Sequence, residues 1–134
     1  MRQIAGHLLL LGLILSGSCA ANAAATIRGV LVPEDPCGNV TLDISNQDRS
    51  VDPLDISVFL DGTPIIRAKI AIGQIHPSYE RYRFKWTPGP HEIRVESTRV
   101  RAKLVEKVEV QDKRFLAVLY GYPPLATGFT FGNH

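Results

Sequence analysis

The sequence predicts an all-β protein, a single antiparallel β-sandwich that follows an N-terminal signal peptide. Two observations predict the sandwich: apolar residues recur at every second position between turn residues, and no segment of ten or more residues carries a helical stripe. A third observation predicts the signal peptide, because the chain opens with a positive charge, a short apolar run and a cluster of small residues. We therefore divide the chain into a signal peptide over residues 1–23 and one domain over residues 24–134.

The signal peptide begins with Arg2 and has its apolar core at residues 8–15. This core is far shorter than the roughly 20 residues that a membrane-spanning helix needs. Ala21-Asn22-Ala23 matches the A-x-A site of signal peptidase, which predicts a mature chain that begins at Ala24. The pattern is typical of a bacterial periplasmic or secreted protein.

Cys19 offers a second processing route, because it lies where a bacterial lipoprotein carries its lipid. Ser16-Gly17-Ser18 matches a lipobox in part, since Leu15 lies four places before the cysteine instead of three. We favour soluble release over lipidation of Cys19. A membrane-anchored lipoprotein is the alternative, and only that route places the protein at a membrane.

Cys37 is expected to have no internal disulfide partner. After ordinary cleavage it is the last cysteine in the chain, and after lipidation Cys19 is blocked. Free cysteine is among the most buried residue types, so we expect Cys37 to be a small buried hydrophobe. A free thiol and an intermolecular bridge are the alternatives in an oxidising compartment.

The mature chain contains nine short predicted strands, and this number in one domain favours a sandwich. Asp61-Gly62 is a preferred two-residue hairpin connection, and Thr87-Pro88-Gly89-Pro90 cannot continue a strand through its middle. The segment 115–122 is apolar on both faces, which predicts a central strand covered on each side. The predicted strands cover residues 26–32, 39–44, 55–60, 65–71, 79–86, 91–98, 103–111, 115–122 and 128–131.

The segments 79–86 and 91–98 are predicted to form a hairpin around the Pro-Gly turn, with Trp86 opposite His91. This register places Arg83 opposite Arg94, a like-charge contact that favours an external anion. Two favourable pairs flank that contact: Lys85 with Glu92 and Arg81 with Glu96. The other face of the hairpin is apolar and is predicted to lie in the core, with Tyr82, Phe84, Trp86, Ile93 and Val95.

Charge is divided along the mature chain. Up to residue 66 two basic residues accompany seven acidic ones, whereas the remainder holds twelve basic and six acidic residues. One interpretation is a basic surface for an anionic partner, formed by Arg81, Arg83, Lys85, Arg94, Arg99, Arg101 and Lys103. The alternative, which we favour, is that acidic early strands lie beside basic later ones and neutralise them. Nucleic acid is the least expected partner, because an exported protein rarely meets it and the chain carries no binding motif.

The search for catalytic motifs predicts no catalytic residue, no metal and no cofactor. His76, His91 and His134 do not show metal-ligand spacing, and the chain has no Gly-x-Ser-x-Gly elbow. Asp52 and Asp55 are close in sequence, but too few oxygen ligands lie nearby to suggest calcium, so we interpret them as solvated loop residues.

Aromatic residues suggest a stacking surface for sugars, with core packing as the alternative. Tyr82, Phe84 and Trp86 alternate with charges and are assigned to the core, whereas Tyr120 and Tyr122 are kept as candidate binding residues. Asn39-Val40-Thr41 matches a glycosylation acceptor, which we interpret as the start of a strand.

Two motifs carry a resemblance to a known family: residues 58–64 have the sequence VFLDGTP, and residues 86–95 have the sequence WTPGPHEIRV. Over residues 55–110 the chain resembles the PEGA-type modules of surface and periplasmic proteins, although it lacks the Pro-Glu-Gly-Ala signature. The aromatic C-terminal segment has no counterpart in that family. The resemblance implies an immunoglobulin-like sandwich and an accessory binding role, and it transfers no functional residue.

These observations together predict an exported, non-enzymatic binding or accessory module of the bacterial cell envelope. It would recognise an envelope protein or an anionic polymer by surface complementarity. The candidate binding residues are Arg81, Arg83, Lys85, Arg94, Tyr120 and Tyr122. One alternative is a hydrolase with a fold-assembled site, which His76 or His91 beside a carboxylate in a cleft would favour. The other is a structural subunit of a surface assembly, which a long unpaired edge strand would favour.

Overall fold

The computed structural model describes residues 28–72, 79–121 and 128–133. Within these ranges the chain forms eight strands in two four-stranded sheets. Sheet A has the order β3-β2-β5-β6, and sheet B has the order β4-β1-β7-β8. The strands are β1 (Val40–Asn46), β2 (Leu54–Leu60), β3 (Thr63–Ile70), β4 (Glu80–Phe84), β5 (Gly89–Ser97), β6 (Ala102–Val110), β7 (Arg114–Tyr120) and β8 (Phe129–Asn133).

Both sheets send alternate side chains into one shared apolar core, so the all-β prediction is confirmed and the molecule is a β-sandwich. Val58 of sheet A and Leu116 of sheet B are both fully buried. Tyr82, Phe84 and Trp86 lie in the core with successive ring centroids 6.5 and 6.0 Å apart. Their assignment to the core is confirmed.

Neighbouring strands are joined in two ways. Hairpins join β2 to β3, β5 to β6 and β7 to β8, whereas the other successive strands lie in opposite sheets. The predicted hairpin at Asp61-Gly62 is confirmed, because Leu60 pairs with Thr63 across it. Asp61 and Gly62 have φ angles of 49° and 83°, the left-handed backbone that a tight two-residue hairpin requires.

The predicted hairpin around the Pro-Gly turn is wrong. β4 pairs with β1 in sheet B, and β5 pairs with β2 and β6 in sheet A, so the Pro-Gly segment connects the two sheets. The inward residues of β4 and β5 therefore enter the core from opposite sheets instead of lying side by side in one sheet. Period-two alternation is identical in both arrangements, which is why the pattern alone did not separate them. None of the cross-strand pairs predicted from that register exists.

The prediction of a purely antiparallel sandwich also needs correction, because β1 and β7 pair in parallel at the centre of sheet B. All of sheet A lies between these two strands in sequence, which provides the long connection that parallel strands need. β7 is central, as predicted, with β1 on one side and β8 on the other. It is not covered on both faces, however, since Phe115 is 42% exposed.

Residues 28–36, here called the strap, close the side of the sandwich where β3 and β4 are edge strands. On the β3 side, the N–H of Leu31 donates to the carbonyl of Ile65 at 2.9 Å, and the carbonyl of Gly29 accepts from the N–H of Arg67 at 2.8 Å. On the β4 side, the N–H of Asp35 donates to the carbonyl of Arg83 at 3.0 Å. Within 28–32 the predicted first strand makes one isolated bridge, Val30 to Ile66, and its first two residues lie outside the described ranges. The strap therefore covers edge backbone of both sheets.

The expectations for Cys37 are wrong. The residue is exposed, and it is disulfide-bonded. It follows Pro36 in an Asx turn, in which its backbone N–H donates to the Asp35 carboxylate at 2.9 Å. This turn lies at the surface between the strap and β1, so burial as a small hydrophobe is excluded by position.

Several predicted features lie outside the described residues. They are the signal peptide over residues 1–23, the candidate lipidation site Cys19, the candidate binding residue Tyr122, and the histidines His76 and His134.

The strap depends on Gly29, which has a φ of 73° and whose added Cβ would lie 2.0 Å from the carbonyl oxygen of Arg67. We expect Gly29→Ala to lower the free energy of unfolding by more than about 2 kcal/mol, since a clash adds to the left-handed strain. Gly62→Ala is the matched control, because Gly62 has a similar φ of 83° with open space around its Cβ position. We expect this variant to lose only about 1 kcal/mol. Urea denaturation measures both, and equal losses would contradict the close approach.

Candidate functional site

The basic residues predicted to form one binding surface lie on opposite faces of the sandwich. Arg81 and Arg83 point outward from β4, because Tyr82 and Phe84 between them point into the core. Lys85 follows directly after β4 and is exposed. Arg94 lies on β5 in the other sheet, and it points away from the core from there. The structure thus brings Arg81, Arg83 and Lys85 together and separates Arg94 from them.

Arg81 forms an ion pair with a buried carboxylate, that of Asp43. Its Nε and Nη2 atoms donate to the two carboxylate oxygens of Asp43 on the neighbouring strand, each at 2.8 Å. The Asp43 side chain is only 8% exposed, whereas that of Arg81 is 50% exposed. The hydrogen bonds to Asp43 and its charge raise the pKa of Arg81 further above its usual value. The guanidinium also lies 5.2 Å from the ring centroid of Phe115.

The strap supplies carboxylate and carbonyl partners for further cations. Arg28 pairs with Glu34 at 3.1 Å and lies 4.5 Å from the ring centroid of Tyr82. Burial, with a smaller contribution from the charge of Glu80, raises the pKa of Tyr82 to about 12. Arg83 donates to the carbonyl of Pro36 at 3.3 Å. The Asp43–Arg81 pair supports the interpretation that acidic early segments neutralise basic later ones, whereas Arg28 and Glu34 both belong to the early segment.

Arg94 has an aromatic neighbour and one carboxylate neighbour on the outer face of sheet A. Its guanidinium stacks over Phe59 at 4.1 Å from the ring centroid, and Glu96 lies 3.6 Å from its Nε atom. That distance is too long for a hydrogen bond, and the buried Nε atom has no hydrogen-bond partner among the described residues. The stack lies near the middle of the outer face of sheet A, where Val105 on β6 is the cross-strand neighbour of Arg94.

Tyr120 is a core residue, which corrects its assignment as a binding contact. It is 3% exposed, and its ring packs edge-on against Phe129 with centroids 5.4 Å apart. Burial raises its pKa, and the charge of Asp48 adds to the effect. A ligand therefore has no access to the ring.

The interpretation of Asp52 and Asp55 as solvated loop residues is wrong for Asp55, which lies on β2 and is only partly exposed. Asp55 accepts hydrogen bonds from the hydroxyl of Ser97 and from the backbone N–H groups of Thr98 and Arg99, at 2.7, 3.0 and 3.2 Å. Burial by itself would raise the pKa of Asp55, but these hydrogen bonds outweigh it and lower the pKa. Asp52 accepts from the backbone of Ile72 at 3.1 Å. Both carboxylates hold connections in place.

Asn39 also has a structural role. Its amide group donates to the carbonyls of Trp86 and Gln111 at 2.9 and 3.2 Å, and its side-chain oxygen accepts from the N–H of Trp86 at 2.9 Å. Asn39 thereby fixes the ends of two connections between the sheets. Its interpretation as the start of a strand fits these contacts, since β1 begins at the next residue.

A cluster that the sequence did not predict lies where the β2–β3 turn meets the connection from β4 to β5. Asp61 lies in that turn, and its carboxylate oxygen Oδ2 is 2.6 Å from Nδ1 of His91 on β5. The other ring nitrogen, Nε2, is 2.6 Å from the carbonyl oxygen of Thr87 and 3.3 Å from the Thr87 hydroxyl. The pairing of Leu60 with Ile93 places Asp61, the next residue, beside the start of β5. There the Oδ1 atom of Asp61 accepts a hydrogen bond from the backbone N–H of Glu92 at 2.8 Å.

Hydrogen bonding shifts the pKa of both members of this pair. The backbone N–H of Glu92, followed by His91, lowers the pKa of Asp61. Burial by itself would lower the pKa of His91, but hydrogen bonds to Asp61 and Thr87 and the charges of Asp61 and Glu109 raise it. Both shifts favour the charged form of the residue, and so they favour the ion pair.

This cluster forms one wall of a cleft of about 490 Å³, here called the His91 cleft. Its remaining polar lining comes from Thr63 and Lys85, and Lys85 makes no hydrogen bond or ion pair with another described residue. The apolar lining consists of Val32, Pro33, Leu60, Ile65, Phe84 and Trp86. An apolar cleft with a few convergent polar groups and shifted pKa values is typical of a binding site.

The larger cleft, of about 680 Å³, has a less selective lining. It lies beside β3 and Arg28, and its charged groups are of both signs. Those groups are Arg28, Arg67, Lys69, Asp55 and Glu80. Within the described residues, no group of three or more His, Cys, Asp or Glu side chains is arranged to hold a metal ion.

The Asp43–Arg81 pair can be tested against its neighbour on the same strand. We expect Arg81→Gln to lower the free energy of unfolding by about 1.5–3 kcal/mol, because it leaves the Asp43 carboxylate buried without a charged donor. Arg83→Gln removes the same charge from an exposed position and should lose less than about 0.5 kcal/mol. Urea denaturation at neutral pH measures both. Equal effects would show that the Asp43 contact adds nothing to stability.

Comparisons of this chain with protein-family models, with curated proteins and with solved structures found no match. In the described part of the chain, no helix is long and apolar enough to span a membrane.

Proposed function

We propose that this protein is an exported, non-enzymatic binding or accessory module of the bacterial cell envelope, built on an immunoglobulin-like sandwich. The observation that carries the proposal is the His91 cleft, which combines an apolar lining with a polar rim that includes a cation. The connections that cross between the two sheets are typical of immunoglobulin-like sandwiches and support that fold assignment. The signal peptide pattern supports export.

The partner that fits this cleft is an envelope protein or an anionic polymer with an apolar group. Lys85 supplies an exposed positive charge at the rim, while the charge of His91 is balanced by Asp61. Recognition would therefore combine burial of the apolar group with attraction to one lysine. Arg81 and Arg83 are held by Asp43 and Pro36, so they add a local positive field more than direct contacts.

A hydrolase is the second candidate, because Asp61, His91 and the Thr87 hydroxyl lie in the order of a carboxylate–histidine–hydroxyl triad. A hydrolase needs a lone pair on Nε2 to accept the hydroxyl proton. Here Nε2 faces the Thr87 carbonyl at 2.6 Å, closer than the hydroxyl at 3.3 Å, so it acts as a donor. This geometry favours binding over hydrolysis.

A structural subunit that polymerises through its strands is less favoured by the edge of sheet A. The edge strand β6 carries exposed Lys103, Lys107 and Glu109, and Glu106 lies on the same side of the strand as the buried Val108. Charges on an edge strand, and inward-facing charges in particular, resist pairing with another chain.

Binding through the His91 cleft predicts a site-specific and salt-dependent interaction. We expect the mature domain to retain envelope components in a pull-down at low salt and to lose them at high salt. Lys85→Glu should weaken retention at least tenfold. Arg49→Glu is the matched control, because it makes the same change in charge at an exposed position at the other end of β1, and it should retain its partner.

Equal loss of retention in the two variants would show that net charge, and not the cleft, governs binding. Hydrolysis of a chromogenic ester that is abolished by Thr87→Val would overturn the non-enzymatic proposal in favour of the second candidate.

Export predicts a specific end of the mature chain. We expect intact-mass spectrometry of protein isolated from a bacterial periplasm to show a chain that begins near Ala24. An acylated Cys19 would instead establish a membrane-anchored lipoprotein, and a full-length chain in the cytoplasm would overturn export.

A further inference from the structure

We propose that His91 is a pH-sensitive latch that ties the β2–β3 turn to the connection between the two sheets while both of its ring nitrogens are protonated. The inference concerns the stability of the fold, so it does not depend on the proposed binding function.

The argument begins with the partners of the two ring nitrogens. Nδ1 lies 2.6 Å from a carboxylate oxygen of Asp61, and Nε2 lies 2.6 Å from the carbonyl oxygen of Thr87. Both partners accept hydrogen bonds and neither can donate one. An imidazolium donates to both oxygens, whereas a neutral imidazole has one N–H and turns a lone pair toward the other oxygen. The observed geometry is therefore that of the protonated ring.

The latch joins segments that are far apart in sequence and belong to different connections. Asp61 lies in the hairpin turn of sheet A, and Thr87 lies in the segment that leaves sheet B. The His91 side chain is 10% exposed, and its ring is tilted against Trp86 with centroids 6.1 Å apart. Burial of the ring limits the access of water to its nitrogens, although the Asp61 side chain itself is 50% exposed.

The charged groups around His91 favour its protonated form. Asp61 faces it from the β2–β3 turn, and Glu109 lies on β6 next to Val108, the cross-strand partner of His91. Lys85 in the inter-sheet connection is the nearby cation that lines the same cleft, and the strap contributes apolar Val32 and Pro33. Two carboxylates therefore oppose one lysine, in agreement with the raised pKa of His91.

The direction of the pH dependence follows from these shifts. Because the pKa of His91 is higher in the folded chain than its ordinary value of 6.5, its contribution is complete below pH 6.5 and is lost as the pH rises through the folded pKa. The pKa of Asp61 is below 3.8, so its contribution is lost as the pH falls below that value. Both contacts of His91 are therefore present between the folded pKa of Asp61 and that of His91, and they are lost when the pH rises above the folded pKa of His91.

The first experiment measures the proton directly. In a ¹⁵N-detected NMR titration of the full chain, we expect the His91 ring to carry two N–H groups at pH 6.5 and to titrate above that pH. Asp61→Asn should bring the titration midpoint back toward 6.5 or below, and asparagine tolerates the left-handed backbone of position 61. Thr87→Val removes only the hydroxyl and keeps the carbonyl, so it should leave the midpoint unchanged.

The second experiment measures the effect on stability. Urea unfolding between pH 6 and pH 9 should show a decrease in the stability of the wild type that His91→Gln removes, with a tenfold change in the folding equilibrium for each unit by which the pKa is raised. If His91→Gln does not fold, Asp61→Asn provides the same comparison. A His91 midpoint at or below 6.5, or an unchanged pH dependence in both variants, would overturn the latch.

Discussion

The fold of this protein depends on the contact between the inward faces of its two sheets. Neither four-stranded sheet can bury its apolar face alone, so each requires the other. Four successive pairs of strands lie in opposite sheets, and the connections between them hold the two layers together at their ends. Polar side chains satisfy the backbone of these connections, as Asn39 does for Trp86 and Gln111. The His91 cleft is formed at one such end, where the layers separate around the connection from β4 to β5.

The same architecture explains the distribution of charge. Because β1 pairs with β4, the acidic first part of the chain lies beside the basic second part, and Asp43 meets Arg81. The pairing of β2 with β5 does the same for Asp61 and His91. Some charges that belong to separate blocks in the sequence are therefore partners in the fold. Lys85 remains exposed at the cleft, which is why one lysine there is more informative about binding than the total positive charge of the domain.

The sequence predicted each of the eight strands to within a few residues, and it placed Tyr82, Phe84 and Trp86 in the core, but the predicted strand over residues 26–32 makes only an isolated bridge in its described part. It failed where strand pairing decides the result. Arg94 was placed beside Arg83 because the Pro-Gly turn was interpreted as a hairpin, and the same alternation also fits two strands in opposite sheets. Tyr120 was kept as a surface residue because an apolar strand does not reveal which of its faces is covered.

The sequence by itself determined the all-β class, the Asp61-Gly62 turn and the alternation of buried positions, because these depend on neighbours a few residues away. Only the tertiary structure decided the parallel pairing of β1 with β7, the partner of each cation and the meeting of Asp61, His91 and Thr87. These contacts join residues that are distant in the chain, and the pairing of β2 with β5 brings Asp61 to His91. Such proximity depends on the order of strands in the sheets, which no local pattern encodes.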